Sequence, residues 1–392
     1  MEVTVLERTP RDHQGCSHGN GGMVVPSHFT PLAAPGVVGQ GMRMMWNRKS
    51  PFGFNFSLQP NLWRWVFQFM RSANSRHVNT CSPVLRDLHL ASRAAYESLA
   101  EELGEGFGFS TCGLLMLCRD QSTFDAEAHV AEQANALGLR ANVVTGRALE
   151  ELDSAITMKA AGGVHFLDDC HFSPHAFMDG LRTHVEAQGV KIVYNAEVSS
   201  LNLAGSKLDA VHTAQGTFGG DEFVLAAGSW SERIAAQLKL RLPVQPGKGY
   251  SMTLAHPVQV PHLCLILTEA RVAVTPISST LRFAGTMEIG AGEHGINNQR
   301  VKGIIDSIPE FLPEFAKQDF SREPVWSGLR PCSPDGMPYV GRTQAIRNLT
   351  VATGHAMMGM SLGPITGKLV GEIICGESPS VSVNLLSPDR FA

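Results

Sequence analysis

Arg330 is the residue whose neighbours best equip it to recognise a small anion. It lies between Leu329 and Pro331 in the run Trp326 to Gly341 (WSGLRPCSPDGMPYVG), and Gly354 to Gly367 (GHAMMGMSLGPITG) follows shortly after. A guanidinium fork grips a carboxylate through two parallel N–H bonds, so this arginine reads as an anchor for a carboxylate substrate. An isolated loop arginine is more often one half of a surface ion pair, and only the motifs around it decide between the two. The glycine-flanked stretch ends a strand, turns and opens a helix. Its backbone N–H groups and the positive end of that helix therefore face an electron-rich or anionic oxygen.

Three further stretches carry recognisable chemistry. Glu2 to Glu7 (EVTVLE) is a short β-branched run closed by an acid, as the second strand of a dinucleotide-binding βαβ unit ends, with its carboxylate free for two ribose hydroxyls. Cys16 to Val24 (CSHGNGGMV) packs glycines with Ser17 and Asn20, which lets backbone approach a planar ring or a pyrophosphate closely. Glu222 to Trp230 (EFVLAAGSW) runs an apolar strand into Ala227-Gly228-Ser229 and opens a helix. The G-x-G-x-x-G turn belongs about 20 residues before the acid of the second strand. Only Met1 precedes Glu2 here, so the expectation is a nucleotide lobe that is N-terminally incomplete by roughly 25 to 30 residues, through a late start or a truncation.

The elements that must position these residues alternate along the chain. Helical periodicity marks Val84 to Leu103, Thr123 to Leu137, Pro174 to Gln188 and Ser361 to Cys375. Strand patterns mark Gly113 to Cys118, Val190 to Tyr194, Leu208 to Thr213, Glu222 to Ala227, Gly249 to Leu254, Arg271 to Pro276, Leu281 to Thr286 and Leu349 to Ala352, while Arg330 falls in a loop. The interleaving without a repeat predicts an α/β fold with an α+β substrate domain: a Rossmann-like nucleotide lobe and a lobe built on a mixed or antiparallel sheet. Residues 1–30, 164–242 and 327–392 are assigned to the first, and 31–163 and 243–326 to the second.

With 392 residues, 43% hydrophobic and 17% charged, the chain has material for two globular domains and none of the signature of disorder. A formal charge of −4 offers no field to gather nucleic acid. Eight scattered cysteines without a C-x-x-C pair fit reduced thiols in a cytoplasmic protein. His171 and His175 have no cysteine or carboxylate cluster to complete a ligand set, so no metal is expected. Leu62 to Met70 (LWRWVFQFM) is too short to span a bilayer. Such a stripe usually packs onto neighbouring helices, and otherwise it is a surface for the inner face of a membrane.

Taken together, these stretches resemble the D-amino acid oxidase superfamily of flavoproteins, and within it the D-amino acid dehydrogenase small subunit and glycine oxidase group. The likeness rests on VTVLER, SHGNGG, LAAGSW, PGKGYSMT around Tyr250, and above all the tandem of WSGLRPCSPDGMPYVG with GHAMMGMSLGPITGKLVGEII, and it covers nearly the entire chain. The resemblance implies FAD. By it, Glu7 with Arg8 beside it would bind the adenosine ribose, Ser17, Asn20, Gly21 and Gly22 would line the flavin, Val198 would meet the adenine and Gly228 the nucleotide. Gly354, His355, Met357, Met358, Gly359 and Met360 would border the isoalloxazine. Arg330 would hold the substrate carboxylate, with Tyr250 assisting. The implied reaction is oxidative deamination of a D-amino acid, or of a proline- or glycine-like one, by hydride transfer from Cα to flavin N5, with electrons passed to a quinone or other acceptor. Some members attach flavin through a cysteine, but the spacing from Cys332 to Pro334 and Asp335 differs from that form. A non-catalytic or partner-dependent subunit is the alternative, and a homo-oligomer is compatible with either.

Overall fold

The computed structural model describes residues 1–45, 47, 49–55 and 59–392. In chain order, strand β1 (Thr4–Leu6) is followed by helices α1 (Pro60–Ser72) and α2 (Ser75–Leu103), strand β2 (Phe223–Leu225) and helix α3 (Ser231–Gln237). Strands β3 (Gln245–Leu254), β4 (Val272–Ile277) and β5 (Thr280–Ile289) then precede helix α4 (Asn298–Phe311). Strands β6 (Trp326–Cys332) and β7 (Leu349–Thr353) and helix α5 (Gly359–Cys375) complete the set that positions the site.

Short parallel pairings build the nucleotide side. β1 pairs with Lys191–Val193, and β2 pairs with β7, which takes Tyr339–Arg342 antiparallel on its other edge. Leu6, Leu225 and Val351 share one apolar cluster with Leu208 and Val211 of an antiparallel three-stranded sheet. The Gly-rich turn after β7 feeds α5, whose Leu362, Ile365 and Leu369 pack on Cys81, Leu85 and Leu88 of α2. α2 starts at an Asn74 cap and runs straight through Pro83, nine residues earlier than the periodicity suggests. A proline removes one helical hydrogen bond, and burial of this face against α5 offsets the loss.

A nine-stranded mixed sheet forms the other side, running β6, β3, β5, β4, Cys264–Leu267, Leu114–Cys118, Gly162–Phe166 and Ala141–Val144, with Phe52–Phe54 joined to β5. The strand period of two sorts its residues. Tyr250, Met252, Leu254, Val274 and Phe283 enter the core under α4 with Ile304, Ile308 and Phe311, each large side chain contributing about 1.5–3 kcal/mol by burial. Gly247, Gly249, Ser251 and Thr253 lie on the opposite face, where Thr253 accepts from Arg282, whose guanidinium also reaches the glycine loop that follows β1. The expected boundary at 163/164 falls inside Gly162–Phe166, and that at 326/327 falls inside β6.

Arg330 therefore sits in a strand and not in a loop. Pro331 hides the strand character of WSGLRPC, but β6 is the edge of the sheet, where a missing N–H costs no ladder bond.

Candidate active site

Three of the sequence motifs meet at one atom, the carbonyl oxygen of Leu329. The Cys16 thiol donates to it at 3.2 Å from the loop after β1, and the Ser229 hydroxyl at 3.1 Å from the turn after β2. One residue further, Arg330 turns its guanidinium across β3 and donates to the carbonyl of Thr286 at 2.6 Å. The space it uses exists because position 249 is glycine, where any Cβ would run into the guanidinium. Thr286 adopts φ +69°, and its buried hydroxyl has no hydrogen-bond partner among the described residues. A β-branched residue rarely accepts that conformation, and such strain clusters at ligand-binding positions. Arg330 remains partly exposed and makes no ion pair with a carboxylate among the described residues. Burial lowers its pKa, against the opposing influence of the Cys16 and Cys332 thiols.

The loop from Cys16 to Val25 is held from both sides. Thr275 of β4 donates to the Gly21 carbonyl, and Arg282 of β5 donates to the carbonyls of His18 and Asn20 at 2.9 and 2.8 Å. From the opposite side, the Ser361 hydroxyl of α5 accepts from the Val25 N–H at 3.0 Å. Asn20 spends its side-chain oxygen on the Gly22 N–H at 2.9 Å. Gly22 has φ +71°, and a Cβ there would strike the Phe172 carbonyl. The indole of Trp326 lies against both Gly19 and Gly328, neither of which has room for a Cβ.

The turn after β7 joins the same assembly. His355 bridges to Cys332 at the end of β6, and the Thr353 hydroxyl donates to the Gly228 carbonyl at 3.0 Å. Gly354 has φ +80°, with Tyr339 where a Cβ would lie. His355 is buried, shares a hydrogen bond with the Thr366 hydroxyl at 2.9 Å, and has its pKa brought down to about 4 by burial, so the ring is neutral near pH 7. Met358 and Met360 are buried, whereas Met357 is exposed. Burial pushes the Cys332 thiol up to about 12, against the pull of Arg330. A protonated thiol is a poor nucleophile, which argues against covalent attachment through it.

Farther out, the Thr9 N–H and hydroxyl both donate to Glu7 Oε1, at 2.9 and 2.7 Å. Oε2 keeps no hydrogen-bond partner among the described residues. Arg8 stacks its guanidinium 3.8 Å above the Trp230 ring and pairs with Glu293. Val198 opens the first strand of the three-stranded sheet.

Tyr250 is not brought to Arg330. In the β3–β6 register Gly247 faces Arg330 and Tyr250 faces Ser327 without a shift between them, so the two side chains leave opposite faces of the sheet. Tyr250 donates to Glu288 at 2.7 Å and lines a cavity of about 500 Å³ on the α4 side. Burial, followed by that carboxylate, raises its pKa. The residues that sequence reading passed over are Gly249, Thr286, Thr275, Arg282 and Trp326. Alternate glycines in PGKGYS hint at the first. The others are signalled only by strand pairings distant in sequence.

Among the described residues no cluster of His, Cys, Asp or Glu could hold a metal, and no helix is long and apolar enough to cross a membrane. The donor set fits FAD instead: glycine turns at positive φ after β1 and after β7, backbone N–H groups opening α5, and an acid at the end of β1 with one oxygen to spare. Fold and site thus define an FAD-dependent oxidoreductase. The chain belongs to the FAD dependent oxidoreductase family, whose model matches residues 1–373. It is 30% identical over its full length to D-amino acid dehydrogenase of Bradyrhizobium diazoefficiens and 31% identical to that of Paramagnetospirillum magneticum, covering 93% of each. Its fold is similar to glycine oxidase from Geobacillus kaustophilus, with a TM-score of 0.79 and 22% identity over 99% of this chain and 92% of that one. It is also similar to L-proline dehydrogenase from P. horikoshii, with a TM-score of 0.71 and 17% identity over 100% and 97%.

Proposed function

We propose that the chain oxidises the Cα–N bond of an amino acid, a D-amino acid or a glycine- or proline-like one, and passes the electrons to a quinone or another acceptor. The observation that carries this reading is Arg330, a largely enclosed guanidinium with no carboxylate partner among the described residues. A charge so placed is costly unless a ligand supplies the counter-ion, and an amino acid carboxylate fits its fork. Relatives named D-amino acid dehydrogenase support the substrate class.

When bound, FAD supplies the acceptor for the hydride that leaves Cα. The task left to the chain is orientation. The Thr286 carbonyl engages one edge of the Arg330 guanidinium, so the remaining N–H groups can take the substrate carboxylate. His355 is neutral near pH 7 and adds no positive charge to compete with Arg330. The imino acid product hydrolyses to an oxo acid and ammonia, or leaves as a cyclic imine from a proline-like substrate. Within this reading Glu7 and Arg8 hold the ribose end and Val198 and Gly228 the nucleotide. Ser17, Asn20, Gly21, Gly22, Gly354, His355, Met357, Met358, Gly359 and Met360 border the ring. Dye reduction with D-alanine, L-alanine, glycine and proline, each against its decarboxylated amine, tests the claim. Equal turnover of an amino acid and its amine would refute the carboxylate anchor.

α1 exposes Trp63, Phe67 and Met70, with Arg64 and Arg71 beside them. We assign this stripe to the inner face of a membrane, where a quinone dissolves, for a cytoplasmic protein. A second reading has a partner chain, or a second copy, complete the small sheets. It is favoured by β1 and β2, each paired along one edge with Val3, Val5 and Val224 exposed. Purification with a second chain, and no turnover by this chain alone, would favour this second reading.

A further inference from the structure

A second polar cavity, of about 330 Å³, opens between α1 and α3, away from Arg330, and no step of the proposed reaction uses it. Arg64 of α1, Lys239 just past the end of α3 and Arg241 wall it. All three are exposed, and none of their side chains has a hydrogen-bond or ion-pair partner among the described residues. Three cations gathered on one concavity with a single acid, Glu232, among its lining residues repel each other and focus a positive field into it. Lys239 alone has a simpler account, because a cation at a helix C-terminus complements the dipole. Arg64 and Arg241 have none.

The acid in the cavity does not cancel this charge. Burial pushes the Glu232 carboxyl up to about 7, with Asn61 opposing, so at neutral pH it carries only part of a negative charge. Gln68, at the Arg64 side of the wall, keeps a buried side-chain oxygen with no hydrogen-bond partner among the described residues. The ligand that answers all of this presents an anion of more than one charge together with a hydroxyl that can donate to Gln68.

We propose that the cavity walled by Arg64, Lys239 and Arg241 binds a phosphate group, carried by a free phosphate compound or by the headgroup of an anionic lipid. Its position gives the lipid source a geometric basis. On α1 the cavity residues Asn61, Arg64 and Gln68 flank the exposed Trp63, Phe67 and Met70, so a helix lying with that stripe in lipid would hold the cavity at headgroup depth. The phosphate site itself stands on the three cations and does not require the membrane reading.

The test uses the full FAD-loaded chain. Calorimetric titration with inorganic phosphate at fixed ionic strength, and flotation with phosphatidylglycerol–phosphatidylcholine vesicles against pure phosphatidylcholine, are run on three proteins: wild type, Arg64→Gln/Arg241→Gln, and the control Arg322→Gln outside the cavity. The expected result is saturable phosphate binding that weakens about tenfold or more in the double variant and not in the control. Loss of anionic-vesicle capture in the same variant identifies the headgroup as source, and unchanged capture alongside lost phosphate binding identifies a free phosphate compound. Absence of saturable phosphate binding, or equal binding by wild type and double variant, overturns the proposal. If the double variant misfolds, Lys239→Gln provides the same comparison. A failure of amino acid turnover, by contrast, would bear only on the reaction assigned above.

Discussion

The guanidinium of Arg330 occupies the place where a side chain on Gly249 would begin. Gly249 pairs across the strands with Gly328, whose own Cβ position is filled by the Trp326 indole. Two facing glycines thus make room for a cation and an aromatic edge side by side, on the face of the sheet that looks toward the glycine loop.

Gly249→Ala follows directly. The three heavy atoms nearest the added methyl all belong to the flexible end of Arg330, so the fold should lose less than about 1 kcal/mol. The displaced fork should raise the KM for the amino acid about tenfold or more, equivalent to about 1.4 kcal/mol, with flavin content unchanged. Steady-state kinetics beside the flavin-to-protein absorbance ratio checks this, and loss of flavin with unaltered KM would contradict it.

Gly22→Ala should behave in the opposite way. Its methyl meets backbone, the Phe172 carbonyl, at φ +71°, and neither can move cheaply. A cost of about 1–3 kcal/mol is expected, together with flavin lost on dialysis. Thermal unfolding and the same absorbance ratio report both effects.

Two adjacent carboxylates should respond to pH with opposite sign. Desolvation works to raise the pKa of Asp168, but hydrogen bonds and charge from Arg140, with Arg93, overcome it and hold the pKa below the usual range. A depressed folded value means that its stabilisation is complete above the unfolded pKa of about 4 and is lost as pH falls through the folded one. Asp168→Asn should therefore cost about 1–3 kcal/mol at pH 7 and progressively less toward pH 3. Asp169 is buried against Ser27, and desolvation lifts its pKa to about 7. Between about pH 4 and 7 the folded state keeps a proton that the unfolded state releases, so stability falls as pH rises through that window. Asp169→Asn should flatten this slope, gaining on wild type from pH 5 to pH 8. Denaturant midpoints across pH check both signs.

The contrast between Arg330 and Gly249 shows how far the sequence could be read. Glycine turns, capped helices and alternating strands are local patterns, so the motifs around Gly22, Gly228 and Gly354 were legible, as was the mixed fold. Legibility stops where a role depends on a partner distant in sequence. Gly249 matters because Arg330 crosses it, and Arg282 matters because it reaches the His18 and Asn20 carbonyls. Tyr250 shows the same limit. Its neighbourhood in PGKGYSMT was visible, but the face it takes depends on the register with β6.

The most direct test is an anaerobic titration of the FAD-loaded chain with a D-amino acid, following the flavin absorbance in wild type and Arg330→Ala. The account predicts that wild type bleaches at saturable amino acid concentration, and that the variant, holding the same amount of flavin, needs at least about tenfold more amino acid for half-bleaching. Equal half-bleaching concentrations in the two proteins would contradict it.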